Sequence, residues 1–257
     1  MDATIKHYER VYLSDTDGWG MAWHGSYIKW LEKARTELLQ KINFDISYFN
    51  TNYMIGNEDI KFIKMASLDQ LLSITVDLTE DSDTLIFNYK ILDDKEKCIT
   101  TAISKFEKNK QISISPNITS NFYDLKIKTY ASDTDLTGKI WHGNYIKWFE
   151  AARIEVTKYL GLDMNANGHD IVLPIISMGF QNFKPIKTYD NITIRTYIKK
   201  LTKIKVIFAY EVINDNSEVV SVGNTILVAT TKTGELYRKL PNIIIDTYKR
   251  IMPKLAF

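Results

Sequence analysis

Tyr12-Leu-Ser-Asp-Thr-Asp17, Gly20, Trp23-His-Gly-Ser-Tyr27, Trp30, Glu32 and Ala34-Arg35 return 118 residues later as Tyr130-Ala-Ser-Asp-Thr-Asp135, Gly138, Trp141-His-Gly-Asn-Tyr145, Trp148, Glu150 and Ala152-Arg153. From Tyr12 to Glu37, 17 of 26 positions are identical to their partners without a gap. A period this long is not that of a solenoid, so the chain holds two copies of a whole small domain. The repeat weakens but continues at an offset of 121. Leu85-Ile-Phe87-Asn-Tyr89 matches Val206-Ile-Phe208-Ala-Tyr210, and the second copy gains three residues between its helix and its next strand. The polar stretch 107–121, with Pro116 inside it, reads as the connection. The expected domains are 1–115 and 122–257.

The chain has 257 residues, which gives each copy enough length to bury a core. Apolar residues make up 45% and the net charge is +2, too mild a balance to point to nucleic acid. The single cysteine, Cys98, excludes an internal disulfide and a thiolate metal cluster, and fits a reducing cytoplasm. The start of the chain shows no apolar signal-like run, and no stretch approaches the ~18 apolar residues of a membrane span. The expectation is a cytoplasmic protein with no membrane segment.

Each copy opens with a short strand, near 4–13 and 125–131. The Asp-Thr-Asp loop follows, and then one long helix. Tyr27, Leu31, Ala34, Leu38 and Ile42 fall on one helical face, as do Tyr145, Phe149, Ala152, Val156 and Leu160. Ser26 and Asn144 share a repeat position and are both preferred N-caps, and Gly161 is placed to close the second helix. β-rich runs follow at 71–78, 85–92 and 98–107, and again at 191–201, 205–213 and 218–230. The stretch 240–250 reads as a short closing helix. One helix packed on a curled antiparallel sheet, twice over, is an α+β architecture.

Asp17 and Asp135 stand two residues after another aspartate and seven before a histidine, in loops that feed a helix start. A helix N-terminus offers free N–H groups and partial positive charge, which polarise a carbonyl. A carboxylate beside it attacks the carbonyl carbon or activates water. The string survived while Gly18-Trp19 diverged to Leu136-Thr137, which favours function at Asp17 and Asp135. Asp15 and Asp133 read as structural. His24 and His142 are candidate bases or substrate holders, equally well packed histidines at a helix start. His7 and His169 lack repeat partners and read as structural. Gly20 and Gly138 would let backbone approach a ligand. Trp23, Trp30, Trp141 and Trp148 read as core and interface. Trp23 and Trp141, with Ser26, Asn144, Tyr27 and Tyr145, also border the expected substrate site. Glu32 with Arg35, and Glu150 with Arg153, read as helix-surface pairs. Four scattered histidines and one cysteine make no zinc site. Serine-hydrolase, Walker and dinucleotide motifs are absent.

The string Asp-Thr-Asp-x-x-Gly-x-x-Trp-His-Gly-Ser/Asn-Tyr-x-x-Trp-x-Glu-x-Ala-Arg resembles the 4-hydroxybenzoyl-CoA-thioesterase-like hotdog family, including short acyl-CoA thioesterases linked to the Tol-Pal system. The resemblance implies a tandem double hotdog in which one chain forms a pseudo-dimer. It implies acyl-CoA hydrolysis to free acid and CoA, with Asp17 and Asp135 as nucleophile or general base and amides near His24 and His142 as oxyanion donors. Each site would borrow residues from the other half, with 61–66 and 182–186 as candidate lining. No cofactor is implied beyond CoA as part of the substrate, and chains of this kind assemble as homo-oligomers. Trp19 stands where the family usually has a small residue, so the two sites are expected to differ in substrate or rate. The rival readings are an acyl-carrier-protein thioesterase or acyl-transferring hotdog enzyme, and a non-catalytic acyl-CoA-binding module.

Overall fold

The computed structural model describes residues 3–108, 112–117, 121–161 and 170–251. Its strands, numbered in chain order, are β1 (Ala3–Arg10), β2 (Tyr53–Phe62), β3 (Leu71–Asp81), β4 (Thr84–Leu92), β5 (Cys98–Lys108), β6 (Tyr123–Lys128), β7 (Ile175–Asn182), β8 (Asn191–Leu201), β9 (Lys205–Asn214) and β10 (Val219–Val228). The helices are α1 (His24–Lys41), α2 (Ile46–Asn52), α3 (Gly143–Tyr159) and α4 (Asn242–Ile251).

Alternation sets the faces. Leu72, Ile74, Val76, Phe87, Tyr89 and Ile91 are buried while their neighbours in sequence, Ser73 excepted, are partly or fully exposed. The stripe Tyr27, Leu31, Ala34 and Leu38 is buried against this face, and Tyr145, Phe149, Ala152 and Val156 do the same in the second half. Burying a large apolar side chain contributes roughly 1.5–3 kcal/mol, so the stripe decides which helix face meets the sheet. Gly161 closes α3 as expected, with φ +76° and its N–H on the Lys158 carbonyl at 2.8 Å.

All ten strands join one antiparallel sheet in the order β1-β3-β4-β5-β2-β7-β10-β9-β8-β6. The order reads the same from either end once β2 is matched with β7, β5 with β10, β4 with β9, β3 with β8 and β1 with β6. Each half is therefore a helix cradled by five strands, the α+β double-hotdog arrangement. The halves meet at β2 and β7, where Asn57 faces Gln181 and Lys61 faces Ser177.

The central strand of the first half is not visible as a run in the sequence. β2 carries Gly56, Asn57, Glu58 and Asp59 in its interior and a register shift between Ile55 and Asn57. Helix α2, capped by Asp45 accepting from the Tyr48 amide at 3.0 Å, is also unanticipated. The closing helix forms as α4, and its Tyr248 meets Phe208 edge-on at 5.5 Å. In the first half that place belongs to Phe49 of α2, edge-on to Phe87 at 6.2 Å. The connecting segment 112–117 lies on the second half. The Ile112 amide bonds Phe183, and Ile114 bridges Val219. His169 lies outside the described residues. Among the described residues, no helix is long and apolar enough to cross a membrane.

Candidate active site between the halves

The Asp-Thr-Asp loop begins with a turn of 3₁₀ helix, Leu13–Asp15 or Ala131–Asp133. Asp15 Oδ2 accepts the Tyr12 amide at 3.0 Å, and the Asp15 carbonyl accepts the Trp23 amide at 2.7 Å. Asp133 repeats both bonds, to Tyr130 and Trp141, at 2.9 Å each. The first aspartate of each pair thus ties the loop to the helix start. Ser26 and Asn144 do not cap. They sit inside the first turn and donate back to the same carbonyls, Ser26 Oγ to Asp15 at 3.1 Å and Asn144 Nδ2 to Asp133 at 2.8 Å. The helices start before these residues, so Trp23 and His142 hold the cap positions.

The second aspartate orders a tight loop. Asp17 Oδ1 accepts the amides of Trp19 and Met21 at 2.9 and 3.2 Å. Asp135 Oδ1 accepts the amide and hydroxyl of Thr137 at 2.8 and 2.6 Å. Gly20 and Gly138 each sit at φ +72°, where an L side chain is strained, so the turn geometry requires them. Nothing stands within 4 Å of a Cβ added to either, so they serve the turn rather than a close approach. Oδ2 of both aspartates is uncommitted among the described residues. Asp17 is half-buried and Asp135 exposed.

Glycine after histidine has a packing cause. A Cβ on Gly25 or Gly143 would enter the indole of Trp23 or Trp141, which folds back over the helix start. From there each indole N–H reaches the opposite half, Trp23 Nε1 to Glu150 Oε2 at 2.7 Å and Trp141 Nε1 to Glu32 Oε2 at 2.6 Å. The glutamates therefore serve the joint, not a pair with Arg35 or Arg153 on the helix surface. Arg35 is buried, donates to the Tyr89 hydroxyl at 3.2 Å and lies 4.4 Å from the Phe106 ring centre. Arg153 stands in the corresponding place, where its charge acts on Tyr210.

The histidines also face across the joint. Burial, then the Arg35 charge, push His142 down to about 3. Burial, then the Arg153 charge, push His24 down to about 3, against a hydrogen bond with the backbone of Ile175. Both rings are neutral near pH 7 and far too weakly basic there to serve as general bases. The N–H groups of His142 and Gly143, and of His24 and Gly25, meet no backbone acceptor among the described residues. They are the free donors of the helix starts.

A cavity of about 590 Å³ opens between the halves, within the size range of small-ligand sites. Asp135, Trp141, His142 and Tyr145 line it from the second half, and Glu32, Arg35, Phe49, Tyr53 and Phe106 from the first. Of the expected lining segments, Asn182, Lys184, Pro185 and Ile186 border it. Tyr27 is instead in the core, where its hydroxyl accepts the Ala66 amide at 2.8 Å, and burial pushes it to about 12. Phe49 and Phe106 carry no mark of the site in the sequence, and Arg35 reads there only as a surface partner of Glu32. The one signal was the identical Ala-Arg pair in both copies.

Residues 137–228 match the thioesterase superfamily. The chain is 29% identical over 97 residues to the acyl-CoA thioester hydrolase YbgC of Escherichia coli, covering 36% of this chain and 72% of that one. Among solved structures, it resembles an acyl-ACP thioesterase from Bacteroides thetaiotaomicron with a TM-score of 0.68 at 16% identity, covering 87% of this chain and 97% of that one. The 12:0-ACP thioesterase from Umbellularia californica gives a TM-score of 0.72 at 7% identity, covering 88% and 94%. At these identities the two structures speak to the fold alone. The findings together support a thioester hydrolase, with residues 137–228 similar to the thioesterase superfamily and the chain sharing the hotdog fold of these structures.

Proposed function

We propose that this chain hydrolyses acyl-CoA to a carboxylic acid and CoA at two sites, one at Asp135 and one at Asp17. The observation that carries the reading is the cavity between the halves. There one uncommitted carboxylate oxygen and a helix start with two free N–H groups come from the same half, and an apolar wall comes from the other. The helix amides hold the thioester carbonyl oxygen and take the charge that develops on it. Asp Oδ2 then acts in one of two ways. As nucleophile it bonds to the carbonyl carbon, the C–S bond breaks and the thiolate takes up a proton; water then splits the resulting anhydride. As general base it takes a proton from water as the water oxygen attacks. The neutral histidines pack the helix starts and aim the amides. This chemistry calls for no metal or redox cofactor, and CoA enters as part of the substrate.

CoA is preferred over a carrier protein because the sequence relative acts on acyl-CoA. The working units are the two halves, divided within 107–121, in a cytoplasmic protein. The outer strands β1 and β6 leave free sheet edges, which supports assembly of two or more chains. The test is free-thiol release from acetyl-, hexanoyl-, palmitoyl-, benzoyl- and phenylacetyl-CoA. Wild type is expected to release thiol, Asp17→Asn and Asp135→Asn to keep part of the rate, and the double variant to lose it. A double variant as active as wild type would remove the aspartates from the chemistry.

A further inference from the structure

Four polar side chains run in series from the joint to the cavity wall in the first half. Glu58 of β2 is 1% exposed and accepts the Ser104 hydroxyl of β5 at 3.0 Å. Ser104 acts on the hydroxyl of Tyr89 of β4, which accepts from Arg35 of α1. Arg35 lines the cavity that holds Asp135 and His142. The second half repeats the series only in part. The Arg153 charge acts on Tyr210, and the Tyr210 and Thr225 hydroxyls share a bond of 2.8 Å. The place of Glu58, opposite Ser104, is taken by the buried Met178, opposite Thr225. The series therefore ends without a carboxyl. Arg153 Nη1 is left buried without a hydrogen-bond partner, while Arg35 Nη1 is engaged.

We propose that Glu58 is a positioning residue of the Asp135 site alone: through Ser104 and Tyr89 it holds the Arg35 guanidinium against the cavity, and the Asp17 site works without a counterpart. The proposal rests on the cavity being the place of thioester hydrolysis. A buried carboxyl earns no stability from its charge, because taking it out of water disfavours the ionised form. Burial pushes Glu58 up to about 8, against the Ser104 bond and the Arg35 charge, with Asp59 acting in the same sense as burial. The charged and titratable groups around it are Arg35 from α1, Tyr89 from β4 and Asp59 from its own strand. Ser104 approaches from β5, and β7 presents Phe180. At neutral pH the series is held by a neutral acid. Above about pH 8 an anion appears at its end, and the guanidinium is drawn toward it.

The test reads Arg35 directly and independently of turnover. In ¹⁵N-labelled full chain, the Arg35 side-chain Nε signal, assigned with Arg35→Lys, is followed from pH 6 to 10. An inflection near pH 8 that Glu58→Gln abolishes, with the Arg153 signal flat in both, is the expected result. A flat Arg35 signal in wild type overturns the proposal whether or not the protein is a hydrolase. Turnover supplies the second reading, with hexanoyl-CoA and benzoyl-CoA as probes. In the Asp17→Asn background, Glu58→Gln is expected to lower kcat/KM about tenfold at pH 7, as a loosened contact would, and to remove an alkaline bend. In the Asp135→Asn background it is expected to change kcat/KM less than twofold. Equal losses in both backgrounds mean a purely structural role and overturn the assignment. If no variant or wild type releases thiol, the hydrolase reading falls, and the Arg35 signal still decides whether Glu58 positions it.

Discussion

The two halves share their Asp loop and helix start almost residue for residue, yet differ in what lies beneath them. In the first half Leu31 packs over the sheet, α2 closes the interior with Phe49, and the joint strand carries Glu58. In the second half Phe149 replaces Leu31 and stacks on Tyr210 at 4.3 Å. Gly223 lies under its ring, α4 supplies Tyr248, and the joint strand carries Met178 in the place of Glu58. The matched parts face the cavity and the opposite half. The divergent parts fill the two interiors. Duplication here has kept the machinery at the mouth twice and let each interior settle its own packing.

Altering the interior is expected to break that contrast most strongly. The first half has Ala102 where the second has Gly223. Gly223→Ala drives a Cβ into the Phe149 ring and is expected to cost about 2 kcal/mol in urea denaturation. Adding Phe149→Leu, the first-half residue, should recover part of it. A neutral Gly223→Ala would mean that the ring and the glycine are not coupled.

The joint itself is the symmetric element, and its test is equality. Trp23→Phe and Trp141→Phe each strip a part-buried carboxylate of its 2.7 or 2.6 Å partner, and each should cost about 1 kcal/mol. Pairing Trp141→Phe with Glu32→Gln should show coupling, because the two side chains act as one unit. Strongly unequal single losses would show that the halves do not meet by the same contacts.

Ionisation gives smaller effects with a definite sign. Glu58 is raised from its ordinary 4.5 to about 8, so between those values the folded state binds more protons than the unfolded. Stability is lost as pH rises through that window and is level above it. Glu58→Gln should flatten the fall in Tm between pH 5 and 8. His24 and His142 are depressed from 6.5 to about 3, so the unfolded state binds more protons there and stability is lost as pH falls through that window. The pH profile of kcat/KM should show no inflection near 6.5, since neither ring takes a proton in that range. A histidine-like inflection abolished by His142→Asn would restore the ring as a catalytic base.

Periodicity made the helices and outer strands legible, because Tyr27, Leu31, Ala34 and Leu38 recur at helical spacing and β3 to β5 alternate. The joint was hidden. Glu58 and Asp59 break the apolar pattern of β2, and only partners distant in sequence, Ser104 of β5 and the Arg35 charge, account for the buried carboxyl. The site was legible at its loops and misread at its helix. Ser26 and Asn144 look like caps from composition, but the chain turns helical ahead of them. Glu32 and Arg35 look like a surface pair, but their partners lie across the joint and under the helix. Relations between halves leave no local mark in a sequence.

The central claim is that each chain holds two composite sites, one per Asp loop. The most direct test is calorimetric titration of the full chain with a non-hydrolysable thioether analogue of the best acyl-CoA. Two equivalents bound per chain, with affinities that differ between the sites, is the predicted result. A single equivalent, or none, would contradict it.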